Sequence, residues 1–371
     1  MCLMSWAYAR TKVETMQKLK QHRVNGRPAA TGRLGSPAPR RIVVVRALPG
    51  LGDFLCAVPA WRALRRALAA AEISLIGLES TRPLAQRFHA YIDDFIPFSG
   101  FPGIVEQPFV AASFPAFLHK MQERRFDLAL QMHGNGTISN LYTLLLGAQR
   151  TAGFYLPPNY CPDRRTFLPY SEQLPEVRRH LALLSFLGIP HEDDALEFPL
   201  QDEDREVFAA LARRHKLLPG EYVCLHPGAQ ESGRRWPSNR FAAVAGSLLE
   251  QGWRVVLTGT AAEASLTRKI AAHFPAGVSD LSGQTTLGSM ALLLRHARLL
   301  ICNDTGVSHL AAAMEAPSVV IFTHSSPARW APLNHALHRP VGKGDGHSPS
   351  PATVLVATGE LLAMPTEVPH V

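Results

Sequence analysis

The sequence predicts an α/β protein made of two doubly wound, parallel-sheet domains that face one another across a cleft. Three observations carry that expectation. Apolar runs of strand length alternate with helical patterns along most of the chain, the mark of repeated βαβ units. The strand-like runs are continuous rather than alternating, Ile42-Val43-Val44-Val45 being the clearest, which suits strands covered by helices on both faces. With 371 residues the chain is long for one compact core and comfortable for two domains of about 150 to 170 residues.

Each element follows in order. After the first strand, a Pro49-Gly50-Leu51-Gly52 turn leads into a helical stretch from Asp53 to about Leu68. Strands are expected at Ile73–Leu78, Phe95–Phe98 and Phe126–Gln131, with helices over 82–90, 113–124 and 137–147 between them. The run from His180 to Gly188 is too short to span a membrane and reads as a core-facing helix. An acidic, Pro-bounded stretch near Pro190–Asp204 separates a second series. That series has strands at Tyr222–Leu225, Arg254–Leu257, Leu299–Cys302 and Ser318–Phe322, and helices at Asn239–Gln251, Ala261–His273, Leu287–His296 and Val307–Met314. Ser350-Pro351 pairs an N-cap with a proline at the first helical position and opens a last helix to about Leu362. The expected division is a flexible basic extension (1–40), a first domain (41–200), a second domain (201–335) and a closing loop and helix (336–371).

The net charge of +8 misleads unless it is located. Residues 1–40 hold eight Lys and Arg against one acid, Glu14, so the rest of the chain is close to neutral. No basic stripe interleaved with aromatics and no zinc-finger spacing points to nucleic acid, and none is expected as a partner. The five cysteines are far apart with no C-x-x-C pair, which argues against a disulfide framework or a zinc site. The first residues lack an apolar run behind a basic one, so a reducing, cytoplasmic setting is expected.

Three strand-to-helix junctions carry the residues that could do chemistry. At the first, Gly50-Leu51-Gly52-Asp53, glycines allow a tight turn and close ligand approach, but Leu55 stands where a dinucleotide fingerprint needs its third glycine. Asp53 sits where a helix N-terminus favours an ionised carboxylate, so it either caps the helix or acts in catalysis. At the second, His226-Pro-Gly-Ala229 runs on to Arg234-Arg235-Trp236-Pro237, and the two arginines offer bidentate donors suited to diphosphate oxygens. At the third, Asn303-Asp304-Thr305-Gly306-Val307-Ser308-His309, a buried strand enters a small-residue turn that heads an alanine-rich helix. Free N–H groups there form an anion site, with hydroxyls from Thr305 and Ser308 and the ring of His309 one turn on.

Taken in order, Gly52-Asp53, His226-Pro-Gly-Ala229, Arg234-Arg-Trp-Pro237, Thr258-Gly259 with Glu263, and Asp304-Thr-Gly306-x-x-His309 resemble glycosyltransferase family 9, the ADP-heptose:lipopolysaccharide heptosyltransferases. The likeness spans residues 41–335. It implies a GT-B fold, two Rossmann-like domains with the acceptor on the first and the nucleotide-sugar on the second, and inverting glycosyl transfer. It assigns Asp53 as general base; Arg234, Asp304, Thr305, Gly306 and His309 as donor phosphate and sugar contacts; and Glu263, Thr258 and Gly259 as nucleotide contacts. Gly52, His226, Arg235 and His133 are further phosphate-loop or acceptor-side candidates. Two departures stand out: Arg234 replaces the family's usual lysine, and Gln131-Met132-His133-Gly134 replaces an Asp-Leu-Gln-Gly type run on the acceptor side. No cofactor and no metal is expected, the nucleotide-sugar being a substrate. The expected partners are that donor and a lipid-linked glycan, with peripheral contact to the inner face of the cytoplasmic membrane. Competing readings are transfer of another sugar in surface-glycan assembly, a silent nucleotide-sugar binding module, an epimerase of similar fold and an NAD-dependent oxidoreductase.

Overall fold

The computed structural model of the chain describes residues 32–365. The first sheet is formed by β1 (Arg41–Val45), β2 (Glu72–Gly77), β3 (Asp94–Pro97), β4 (Leu128–Gln131), β5 (Arg150–Tyr155) and β6 (Phe167–Pro169). The second is formed by β7 (Tyr222–His226), β8 (Arg254–Leu257), β9 (Val278–Asp280), β10 (Leu299–Asn303), β11 (Ser318–Ile321) and β12 (His338–Val341). Strand orders are β3-β2-β1-β4-β5-β6 and β12-β11-β10-β7-β8-β9, with every pair parallel. Counted from its own first strand, each sheet follows the doubly wound 3-2-1-4-5-6 order, whose direction reverses between its first and fourth strands.

Register decides which residues reach those two switch points. Val45 pairs with Gln131 and His226 with Cys302, so Arg46, Met132–His133, Pro227 and Asn303–Asp304 emerge from the carboxyl edges. The helices are α1 (Leu51–Ala67), α2 (Arg82–Arg87), α3 (Phe114–Glu123), α4 (Ser139–Leu145), α5 (Glu176–Phe186), α6 (Asp202–His215), α7 (Ser238–Glu250), α8 (Ala264–Ala271), α9 (Leu287–Arg295), α10 (Gly306–Ala313), α11 (Pro327–Trp330) and α12 (Pro351–Leu362). α1 packs on α5 within the first domain and on α10 across the interface. One apolar core runs without a break from Ile42 and Leu55 through Leu183 to Leu310, Cys302 and Val320. A second core joins Val223, Val255 and Ile301 to Val354, Ala357 and Leu361 of α12.

Two expectations change here. The stretch expected as a flexible extension lies outside the described residues up to position 31, but residues 32–40 are not loose. Leu34 is buried, the Arg33 guanidinium stacks 3.8 Å over the Phe186 ring, and Arg150 donates to the Leu34 carbonyl. The second sheet also continues past residue 335 through β12, so the closing segment is part of that domain's core. The Ser350 hydroxyl accepts from the Thr353 N–H and caps α12, as the Ser-Pro pair suggests.

Candidate active site

The starts of α1 and α10 meet head to head. A Cβ on Gly306 would stand 2.7 Å from Cβ of Leu51, and one on Gly52 would stand 2.6 Å from Cδ2 of His309. Real side chains do not approach that closely, so glycine at both positions is what lets the two domains touch here. Neither helix start is capped by a side chain. Two positive helix ends therefore face each other at the domain interface.

Asp53 stands on the first turn of α1. Its carboxylate lies over Gly50 at the helix start without a capping hydrogen bond among the described residues. Arg46 holds it instead: Nε and Nη2 donate to the Asp53 carbonyl at 3.0 and 2.6 Å, and Nη2 stands 3.9 Å from the carboxylate. Burial raises the Asp53 pKa above the ordinary carboxylate value, with Arg46 opposing and Glu176 assisting. The sequence leads one to expect a carboxylate kept readily ionised by the helix dipole; in the fold, burial shifts its pKa the other way.

Across the cleft, Asp304 is buried, and its pKa is also raised by burial while Arg234 opposes. Arg234 lies 3.5 Å from Asp304 and 2.8 Å from Glu231 and is partly exposed. The close approach of Gly306 to Leu51 and Gly52 sets the start of α1, with Asp53, against the turn that carries Asp304 and its neighbour Arg234. Asn303 shapes it from beneath. Its side-chain oxygen accepts from the Trp236 N–H at 2.9 Å, and its amide donates to the Pro227 carbonyl at 2.8 Å. One fully buried amide thus ties the second junction to the third.

Several candidates stand elsewhere than expected. The Arg235 Nε donates to the Ala229 carbonyl at 2.8 Å and braces its own loop, leaving Arg234 as the cleft-facing member of the pair. The Ser308 hydroxyl donates to the Thr305 carbonyl at 2.8 Å, and the side chain is fully buried. His309 does not reach toward the open turn: its ring lies against Gly52, with Nδ1 3.5 Å from Sγ of Cys56, and burial lowers its pKa to about 4. Thr258 is fully buried and pairs with Nδ1 of buried His226 at 3.0 Å, so this pair supports the sheet edge. Glu263 caps its own turn by accepting from the Thr260 N–H and hydroxyl at 2.8 and 2.9 Å. Its Oε1 faces Gly228, where a Cβ would stand only 2.1 Å away. Gly259 lies beside it. On the first domain, Nδ1 of His133 accepts from the Ala47 N–H at 3.2 Å.

The sequence gives little sign of the most densely charged part of the site. Glu176, at the start of α5, is buried and is bracketed by Arg46 at 3.8 Å, Arg179, His180 at 3.4 Å and Arg329 of α11 at 3.1 Å. Burial disfavours its charge, but His180 and the Arg46 and Arg179 guanidinia outweigh that and hold its pKa well below the usual carboxylate range. The Arg329–Glu176 pair joins the two domains. Pro175 before Glu176 is a helix-start signal in the sequence; no local pattern marks Arg329 as its partner.

Among the described residues no group of three or more His, Cys, Asp or Glu is arranged to hold a metal ion. Nor is any helix there long and apolar enough to cross a membrane.

This geometry is shared with known proteins. Residues 115–350 match the profile of glycosyltransferase family 9 (heptosyltransferase). Lipopolysaccharide heptosyltransferase 2 of Escherichia coli (strain K12) is 26% identical over 296 residues, covering 77% of this chain and 83% of that protein. The solved structure of the E. coli ADP-heptose LPS heptosyltransferase II superposes with a TM-score of 0.67 at 23% identity, covering 87% of this chain and 98% of that one. A glycosyl transferase family 9 protein from Veillonella parvula DSM 2008 gives 0.69 at 20% identity, over 87% of this chain and 97% of that one. These are two-domain α/β structures of the same fold, and with the profile match covering well over half its length, this chain belongs to glycosyltransferase family 9, the heptosyltransferases.

Proposed function

We propose that this glycosyltransferase moves a heptose from ADP-heptose onto the inner core of lipopolysaccharide, with inversion at the anomeric carbon. The observation that carries the reading is the head-to-head approach of two helix starts, which sets Asp53 of α1 against the Asp304–Gly306 turn and its neighbour Arg234. The acceptor lies on the first domain and the donor on the second. Asp53 takes the proton from the acceptor hydroxyl as its oxygen bonds to the anomeric carbon, and a raised pKa suits that task better than an ordinary carboxylate. The bond from that carbon to the diphosphate oxygen breaks in line. The departing ADP is stabilised by Arg234 and by the N–H groups of Gly306 and Val307 at the head of α10. Oε1 of Glu263 is the group offered to the ribose hydroxyls.

A lipid-linked acceptor brings the enzyme to a membrane surface. The loop around Phe101–Phe109 and α4 supports this, since Val105, Phe109, Val110, Leu141, Leu144 and Leu145 are exposed on neighbouring elements. Co-sedimentation with anionic vesicles tests that contact.

The deciding experiment incubates the protein with ADP-heptose and a lipid A–core acceptor, reads product mass, and repeats with Asp53→Asn. Turnover is expected to fall by about 10²- to 10⁴-fold with folding unchanged. Near-normal turnover of the variant refutes the base assignment. Transfer from GDP- or UDP-linked sugars instead moves the enzyme to another surface-glycan step, and donor binding without transfer leaves a silent module.

A further inference from the structure

At the carboxyl edge of the first sheet, beyond β4, lies an open polar crevice of about 340 Å³, a size suited to a small ligand. It is walled by Ile104–Glu106 on one side, by the 133–139 loop on another, and by Tyr170 and Glu172 on the third. Arg46 links the strand end before His133 to Asp53, donating to the Met132 carbonyl at 2.7 Å with one arm and to the Asp53 backbone carbonyl with the other, 3.9 Å from that residue's carboxylate.

The loop is held from below by Gln131. Its fully buried amide donates to the His133 carbonyl and the Ser139 hydroxyl and accepts from the Phe154 N–H at 3.0 Å. His133 has a defined tautomer. Nδ1 accepts from the Ala47 N–H, and burial together with Arg46 lowers the ring's pKa to about 4, so the ring is neutral and Nε2 carries the hydrogen. That donor points along the crevice wall, with Glu106 Oε1 at 3.8 Å.

The charges lining the crevice are unbalanced. Its cation, Arg329, is already engaged by Glu176 at 3.1 Å and the Tyr170 hydroxyl at 3.2 Å. Glu106 and Glu172 have no Lys or Arg partner among the described residues. What a ligand meets is two acceptor-only carboxylates, one fixed N–H donor, the Asn135 amide and the Ile104 and Ile138 side chains.

We propose that this crevice seats the terminal sugar of the acceptor and selects an uncharged polyol ring over one bearing a carboxylate or phosphate. Glu106 and Glu172 accept hydrogen bonds from pairs of ring hydroxyls, while the Nε2–H of His133 donates to a third. An anionic substituent would meet two like charges, Glu106 half-buried and Glu172 exposed. The proposal rests on the transferase reading for what the sugar is doing there, and takes its specificity from these three side chains alone.

Binding of three ligands to the full chain tests it by saturation-transfer NMR in the presence of ADP: an alkyl heptoside, its phosphate monoester and an alkyl glycoside of a carboxylated sugar. The uncharged heptoside is expected to bind roughly tenfold or more tightly than either anion. Glu106→Gln with Glu172→Gln should narrow that ratio, and Glu106→Lys should reverse it, with circular dichroism checking the fold. Equal binding of the three, no binding of the uncharged ligand, or an unchanged ratio in Glu106→Lys overturns the proposal. A heptoside that binds selectively but receives no sugar from ADP-heptose counts against the heptosyl-transfer reading and not against this one.

Discussion

Glu176 is the group on which both domains and the Asp53 side chain converge through Arg46 and Arg329, and replacing it separates two effects. Glu176→Ala leaves Arg179, whose side chain is only 1% exposed, without its counter-charge, and Arg46, 3% exposed, with Asp53 alone. Removing one partner of a buried ion pair costs about 3 to 5 kcal/mol because the other charge stays desolvated. At about 2 to 4 °C per kcal/mol for domains of this size, the melting point should fall by roughly 6 to 20 °C. Glu176→Gln keeps the shape and one acceptor oxygen, so it serves for kinetics. Glu176 and Asp53 stand 3.8 and 3.9 Å from the same Arg46 nitrogen, which keeps their oxygens within 7.7 Å of each other. Deleting a unit negative charge at that distance is worth about 0.5 kcal/mol in water and about 2 kcal/mol at an effective dielectric of 20. That lowers the Asp53 pKa by roughly half to one and a half units. Arg46, relieved of Glu176, acts in the same direction. The acidic limb of the kcat/KM profile should therefore move to lower pH, with a weaker base and a lower plateau. An acidic limb that stays put or moves upward would refute the coupling through Arg46.

Three further outcomes are expected. Gly52→Ala forces a Cβ to 2.6 Å from the His309 ring and should cost about 1 to 3 kcal/mol, read by urea unfolding; adding His309→Ala should recover part of the loss. His133, His180, His309 and His338 are each pulled to about 4, with burial the largest cause, so the unfolded chain binds more protons below about pH 6.5. Stability should therefore fall between pH 6.5 and 4 by about 1.4 kcal/mol per pH unit for each proton taken up, and a flat urea midpoint across that window would contradict the neutral histidines. Arg234→Ala removes a charge-assisted contact worth about 1.5 to 3 kcal/mol, so calorimetric affinity for ADP-heptose should drop roughly ten- to hundredfold, with little change in melting point.

Much of this molecule is legible in its sequence because its central strands and the turns after them are locally encoded. Ile42–Val45, Tyr222–Leu225 and Leu299–Cys302 are apolar throughout because both faces of the sheet are covered, and Gly-rich turns mark where each meets a helix. Peripheral elements are harder to see. β6 and β12 carry prolines, and the apolar residues of α6 are outnumbered by charges, so their patterns are weak and only pairing with a neighbour defines them.

The sequence by itself determined the fold class, the order of the three junctions and the residue types at them, since each depends on neighbours within one strand and one turn. Tertiary structure alone decided which of those side chains face the cleft. Arg234 is turned toward Asp304 while Arg235 braces its own loop, and His309 is covered by α1 rather than open to the turn. It also decided the Glu176 cluster, because Arg46, Glu176 and Arg329 are more than a hundred residues apart: the fold of the first domain brings Arg46 to Glu176, and docking of the second brings Arg329. Burial and long-range charge are properties of that docking, and no local pattern of residues encodes them.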